Sequence, residues 1–348
     1  MTAGGPSAAG ARRAPLLSLT AAGLACEAGG FHIDPWAPVD RALVTHAHGD
    51  HLRWGSRHYL VAAPGVELAR RRLPPGASVE GLPYGERRTI NGVTVSFHPA
   101  GHILGSAQVR VEHHGHTWVV SGDYKLEPDP TCAPFEPVRC HGFVTECTFG
   151  LPIYRWAPQA EVFAGINAWW RANQAAGRAT LLMGYALGKA QRLLAGLDAS
   201  LGPIVTHGAV EKMLEPYRAQ GIALPPTVPV SEEAKKGGDF SNAMVIAPPG
   251  AEATPWARRF GDAALGFASG WMQVRGNRRR QALDRGFVLS DHVDWPSLLT
   301  AIEATGAETI WATHGFTGPL VRYLREQGKD AHALSTRYEG ERDDDAEA

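Results

Sequence analysis

The spacing of apolar positions changes character along the chain. From about residue 16 to 149 they fall in short runs bounded by turn residues, which predicts strands. Leu43-Val44-Thr45 is a buried-strand run, and Val93-Thr94-Val95-Ser96-Phe97 alternates. Segments 107–112 and 117–120 flank His113-His114-Gly115-His116, a hairpin pattern that places these histidines in an exposed turn. One helix, around 65–73, interrupts the strands. Between 157 and 238 the period becomes helical and alternates with strands. Residues 158–171 predict a helix with Val162, Phe163, Ile166, Trp169 and Trp170 on one face. Strands follow at 179–183 and 204–206, with helices at 188–197 and around Met213, Leu214 and Tyr217. Alternating strands and helices imply a parallel sheet. From 271 onward strands are expected at 287–290 and 309–313, with helices at 295–304 and 318–327. No repeat of fixed period is present.

Composition narrows the picture. The 40 glycines and 25 prolines predict many loops. Thirty-four basic against 35 acidic residues leave a net charge of −1, so a phosphate-binding surface has to be local. No run of 18 apolar residues exists, which excludes a helical membrane span. Cys26, Cys132, Cys140 and Cys147 form no CxxC pair and read as free thiols of a reducing cytoplasm, so a cytoplasmic location is expected. Arg12-Arg13 could open an export signal, but the apolar stretch after it is weak, and residues 1–14 read as a disordered tail. Residues 336–348 carry six acids and two arginines and read as a solvated acidic tail. The expected organisation is 15–156 plus 271–335 as one strand-rich domain, with 157–270 inserted into it as a parallel α/β domain.

The chemistry concentrates at Thr45-His46-Ala47-His48-Gly49-Asp50-His51. His46 and His48, two residues apart at a strand end, face the same side. Asp50 and His51 fall on the following turn. Four ligand-type side chains within six residues can serve two ions, and imidazole with carboxylate but no thiolate suits zinc, with manganese or iron as alternatives. The missing ligands are sought just beyond other buried strands, at Ala100-Gly101-His102, Ser121-Gly122-Asp123 and Thr313-His314-Gly315.

This HxHxDH run, followed by a distant His, Asp and His, resembles the metallo-β-lactamase superfamily. Asp34, in Phe31-His32-Ile33-Asp34-Pro35, fits the acidic motif that supports the ligands there. Thr145-Glu146-Cys147-Thr148-Phe149-Gly150, Ser290-Asp291-His292-Val293-Asp294 and His314 resemble motifs A, B and C of the β-CASP nuclease branch. Gly184-Tyr185-Ala186-Leu187-Gly188-Lys189-Ala190-Gln191 matches a stretch common in its inserted domain. The segment 268–292 most resembles bacterial ligase-associated DNA exonucleases and related chains described as mRNA 3′-end processing factors. The resemblance covers roughly 15–335 and implies an α/β fold: an αββα sandwich carrying an inserted β-CASP domain.

The resemblance also implies roles. His46, His48 and His102 would hold one Zn²⁺, and Asp50, His51 and His314 a second, with Asp123 bridging both and Mn²⁺ as the alternative metal. The two ions would activate a hydroxide for attack on phosphorus. His292, hydrogen-bonded to Glu146 and so kept protonated, would be the general acid. Asp50, Asp34, Glu146 and His292 form the catalytic set. Lys189, opening a helix, and the basic run Arg275, Arg278, Arg279 and Arg280 are candidate substrate contacts. The expected activity is that of a phosphodiesterase, most simply a DNA exonuclease in repair, with an ATP-dependent DNA ligase and a helicase as partners by family association and no membrane. Histidine at motif C also occurs in RNA-cleaving members, so RNA processing is the alternative. A small-molecule metallo-hydrolase is the lesser reading, because such enzymes lack the insert and motifs A and B. A scaffold without activity would lose ligand positions that are all present here.

Overall fold

A computed structural model of the chain describes residues 14–231, 239–274 and 283–335. Two sheets face each other. The first runs in the order Ser18–Thr20, Gly23–Cys26, Phe31–Ile33, Arg41–Val44, His58–Ala62, Val79–Leu82. The second has seven strands, in the order Asp330–Ala333, Thr309–Gly315, Gly142–Cys147, His116–Val120, Ala107–His113, Val93–Pro99, Arg88–Ile90. The two-residue period of a strand sorts its side chains between layers. Leu43 packs between the sheets with Phe97, Val109 and Val120, while Ala42 and Val44 pack outward against Leu68 and Ala69 of the helix Val66–Arg72. Val119, Phe143 and Ile310 on the far face of the second sheet meet Leu298 and Ile302 of Trp295–Thr305, and Leu320 and Leu324 of Thr317–Glu326. The layers are therefore helix, sheet, sheet, helix: the expected αββα sandwich.

A third sheet is wholly parallel, in the order Val228–Pro229, Ile204–Thr206, Met244–Ala247, Thr180–Met183, Ala264–Ala268, Arg285–Phe287. Its four central strands are buried almost throughout, which explains their near-continuous apolar runs. Leu182 and Ile246 meet Trp170 and Leu193 of the helices Gln159–Ala175 and Lys189–Gly196, and Leu181 and Val245 meet Phe260 and Met272 on the other face.

Three expectations are corrected. The strand read at 287–290 ends at Phe287. Beyond it the carbonyls of Leu289 and Ser290 are taken by lysine and arginine side chains, so the chain leaves the sheet before the Ser290-Asp291-His292 motif. The strand Arg285–Phe287 belongs to the third sheet, beyond the limit of 270 read for the insert. His116 is buried at 8 % exposure, packed edge-on against His141 and Trp118 rather than lying in an exposed turn. Among the described residues the four cysteines are unpaired and no helix is long and apolar enough to cross a membrane.

Candidate metal centre

The strand Arg41–Val44 delivers the HxHxDH run to one end of the sandwich, where three other strand ends meet it. His102 follows Val93–Pro99, Asp123 follows His116–Val120, and His314 lies in Thr309–Gly315. Glycine permits the crowding. Gly122 has φ +56°, and a Cβ there would lie 2.5 Å from the Thr45 side chain.

Three ring nitrogens converge. His46 Nε2 lies 3.0 Å from His48 Nδ1, which lies 3.1 Å from His102 Nε2. The opposite nitrogen of each ring has its own partner. His48 Nε2 is 3.2 Å from the Leu187 carbonyl and His102 Nδ1 is 3.0 Å from the Asp291 carbonyl. Carbonyls only accept, so both rings donate outward and present lone pairs inward. His46 Nδ1 sits 3.1 Å from Thr45 Oγ1, whose own proton goes to Asp34 Oδ2 at 2.6 Å, so this ring too presents a lone pair inward. Three lone pairs about 3 Å apart repel unless a cation sits among them, and tetrahedral Zn–N bonds of about 2.0–2.1 Å would place the nitrogens about 3.3 Å apart.

A second set lies beside the first. Asp34, with φ +45°, accepts from Thr45 N at 2.8 Å and holds His51 Nδ1 at 2.7 Å. His51 Nε2 is thereby aimed into the site, buried, 3.4 Å from Asp123 Oδ2 and 3.7 Å from Asp50 Oδ2, with no aligned hydrogen bond to either. Asp50, His51 and His314 bring one ligand atom each within 4.8 Å of one another, and so do His46, His48, His102 and Asp123. Asp123 Oδ2 is also 3.5 Å from His46 Nε2, which puts a single carboxylate oxygen between the two sets.

The electrostatics match this division. Burial, reinforced by neighbouring histidines, holds His46 and His102 well below the ordinary imidazole range, so both stay neutral as ligands must. Burial also lowers His48 and His314. His51 goes the other way: burial opposes its charge, but Asp123, Asp50 and Asp34 outweigh it and raise it well above the usual value. Asp123 is held well below the carboxylate range because His51 and His292 outweigh its burial. The carboxylate side of the pocket demands positive charge, which a divalent ion meets without a proton.

His292 stands at the edge of the cluster. Its Nδ1 is 2.9 Å from both oxygens of Glu146, which also accepts from Tyr124 N at 2.9 Å. The His292 ring lies 4.9 Å from that of His102, centre to centre, and its Nδ1 is 4.0 Å from Asp123 Oδ2.

The structure therefore brings together Asp34, His46, His48, Asp50, His51, His102, Asp123, Glu146, His292 and His314. It does not bring Lys189 to a ligand-facing surface. Lys189 is fully buried, its ammonium 2.8 Å from Asp291 Oδ2 and donating to the Leu289 carbonyl, which corrects its reading as a phosphate contact. Arg275, Arg278, Arg279 and Arg280 lie outside the described residues. Sequence reasoning missed Lys125, Arg192 and Asp129, all buried beside the site. The available signal was two cations three residues apart, Lys189 and Arg192, on an otherwise apolar helix face.

No family model matches the chain. It is 33% identical over 307 residues to a probable DNA ligase of Opitutus terrae, covering 88% of this chain and 30% of that protein. It is 30% identical over 193 residues to endoribonuclease ysh-1 of Neurospora crassa, covering 49% of this chain and 22% of that protein. The chain thus spans a third or less of the curated relatives it matches. A solved protein of unknown function from Enterococcus faecalis superposes with a TM-score of 0.59 at 13% identity, covering 86% of this chain and 80% of that one, a likeness of fold alone.

Proposed function

Because the chain belongs to the β-CASP branch of the metallo-β-lactamase superfamily, we propose that it is a metal-dependent nuclease that hydrolyses phosphodiester bonds. The observation that carries this is the pair of ligand sets sharing Asp123 Oδ2, with the Glu146–His292 pair beside them. His46, His48 and His102 would hold one zinc ion, and Asp50, His51 and His314 the other. Bound there, such ions supply Lewis acidity toward water and the non-bridging phosphoryl oxygens.

The chain's own residues do the rest. Asp34 fixes His51 and Thr45, and through Thr45 the ring of His46. Glu146 accepts from Nδ1–H of His292, so Nε2 is the ring position that, in the doubly protonated imidazolium, would pass a proton to the leaving oxygen. Burial of Glu146 at 1 % exposure keeps that pairing dry and fixed in direction. The inserted domain, proposed as 157–270 and joined in its sheet by the later strand Arg285–Phe287, would form the second wall of a nucleic-acid cleft.

DNA is the favoured substrate, with a DNA ligase as a partner, on the strength of the relative described as a probable DNA ligase; cleavage from an end in a repair setting rests on the resemblance of 268–292 to ligase-associated DNA exonucleases. The endoribonuclease relative supports RNA as the second reading. Zinc-loaded protein incubated with matched end-labelled single strands of DNA and RNA decides between them. The expectation is faster release of label from DNA, abolished by EDTA and restored by Zn²⁺ or Mn²⁺. Faster cleavage of RNA reverses the substrate assignment, and cleavage of neither, with verified metal loading, removes the nuclease reading.

A further inference from the structure

The candidate ligands are supported from two parts of the molecule. Asp34 and Thr45, which orient His51 and His46, belong to the sandwich. The carbonyls that orient His48 and His102 come from elsewhere. Leu187 precedes the helix Lys189–Gly196 of the third-sheet unit. Asp291 lies on the segment that has just left the third sheet. Gly188, at φ +86°, lets this helix start against the site, since a Cβ there would lie 2.3 Å from the Ile103 side chain.

Among the described residues the segment 289–292 has no sheet partners, and it is held by buried cations instead. Lys189 Nζ donates to the Leu289 carbonyl at 3.0 Å and lies 2.8 Å from Asp291 Oδ2. Arg192 Nη1 donates to the Ser290 carbonyl at 3.3 Å, and Nη2 to the His102 carbonyl at 3.1 Å. Its Nε sits 3.0 Å from Asp291 Oδ1 and 3.1 Å from Asp129 Oδ2, paired by charge but not aligned as a hydrogen bond. Lys125 Nζ takes the Ser290 carbonyl from the sandwich side at 2.9 Å. Lys189, Arg192, Asp291 and Lys125 are all at most 2 % exposed. Buried charges that are not paired are expensive, so each member constrains the others to one arrangement. That arrangement fixes where the Asp291 carbonyl stands, and hence which nitrogen of His102 faces the ions.

We propose that Lys189, Arg192 and Asp291 are positioning residues for one ion only: the affinity of the His46–His48–His102 site depends on this clamp from the third-sheet unit, and that of the Asp50–His51–His314 site does not. The inference rests on the ligand assignment made under the proposed function. Its consequence is that a displacement of the inserted unit would loosen one ion and leave the other in place.

Lys189→Met keeps the volume and removes the charge. Competition with a chelator should show two zinc equivalents in the unaltered protein. In the variant one equivalent should be weakened by about 10- to 100-fold, the range for loss of the groups that orient a ligand, with the other unchanged. Anomalous scattering from crystals grown at limiting zinc should find the depleted position at His46, His48 and His102. Asp34→Asn, which loosens His51 and, through Thr45, His46, should by contrast weaken both equivalents. Lys189→Met/Asp291→Asn removes both partners, avoids an unpaired buried carboxylate and should show the same selective loss if the single variant fails to fold. Equal weakening of both equivalents, or unchanged zinc binding with only a lower melting temperature, overturns the proposal. So does failure of both variants to fold, which would make the clamp purely structural. Zinc absent from these histidines in the unaltered protein would instead defeat the ligand assignment itself.

Discussion

Replacing His292 by Ala separates a proton donor from a metal ligand, because the Asp123, Glu146 and His292 atoms lie close enough to hold an ion themselves. The geometry argues for the donor. Nδ1 is engaged at 2.9 Å by both Glu146 oxygens and is 4.0 Å from Asp123. After truncation Glu146 keeps Tyr124 N at 2.9 Å and Thr148 N at 3.4 Å, so its carboxylate is not stranded. The stability cost should then be that of a lost buried hydrogen bond, about 1–3 kcal/mol, which a domain stable by about 5–15 kcal/mol survives. The loss of general acid catalysis should lower kcat by about 10²–10⁴, or about 2.7–5.4 kcal/mol in the barrier. The assay is turnover of an end-labelled strand at saturating substrate, normalised to folded protein, with metal counted by mass spectrometry. Both metal equivalents should remain. Glu146→Gln should be milder, since the amide keeps the shape and removes the charge. A kcat within about threefold of the parent refutes the acid role, and loss of one metal equivalent shows a ligand instead.

Further outcomes are expected. Asp123→Ala should abolish cleavage and lower the content of both ions, because its Oδ2 lies between the two sets; full retention of zinc and activity would remove the bridging assignment. The metal-free protein should lose stability as pH falls below about 6.5, where the unfolded chain takes up protons that buried His46, His48, His102 and His314 refuse. His51, raised rather than lowered, opposes this trend with one group against four, so urea melts showing greater stability at pH 5.5 than at 7.5 would contradict the account. Replacing Arg278, Arg279 and Arg280 with Ala should weaken strand binding and flatten its salt dependence while leaving the metals in place, and an unchanged salt slope would make these residues a solvated face.

What could be read from the sequence followed from local rules. Strand and helix periods gave a strand-rich region and a parallel α/β insert, because burial shows in the apolar pattern, while the facing of two sheets in an αββα sandwich came from the family resemblance. The candidate ligands were legible because four of them are adjacent and the other three stand at the ends of strands. Lys189 was misread because a lysine at the start of a helix looks exposed. Its burial depends on Asp291, about a hundred residues away, and no local pattern reports that pairing. The segment after Phe287 was misread for the same reason. Val288-Leu289 has strand composition, but Lys125, Lys189 and Arg192 take the backbone carbonyls that a neighbouring strand would have taken.

The central claim is that two ions share Asp123. Crystals of the zinc-loaded protein, measured at the zinc absorption edge, test it most directly. The account predicts two anomalous peaks about 3.5–4 Å apart. One should lie about 2.0–2.1 Å from His46 Nε2, His48 Nδ1 and His102 Nε2, and the other beside His51 Nε2, Asp50 and His314, with the Asp123 carboxylate between them. A single peak, or two peaks of which one sits on Glu146 and His292, would contradict it.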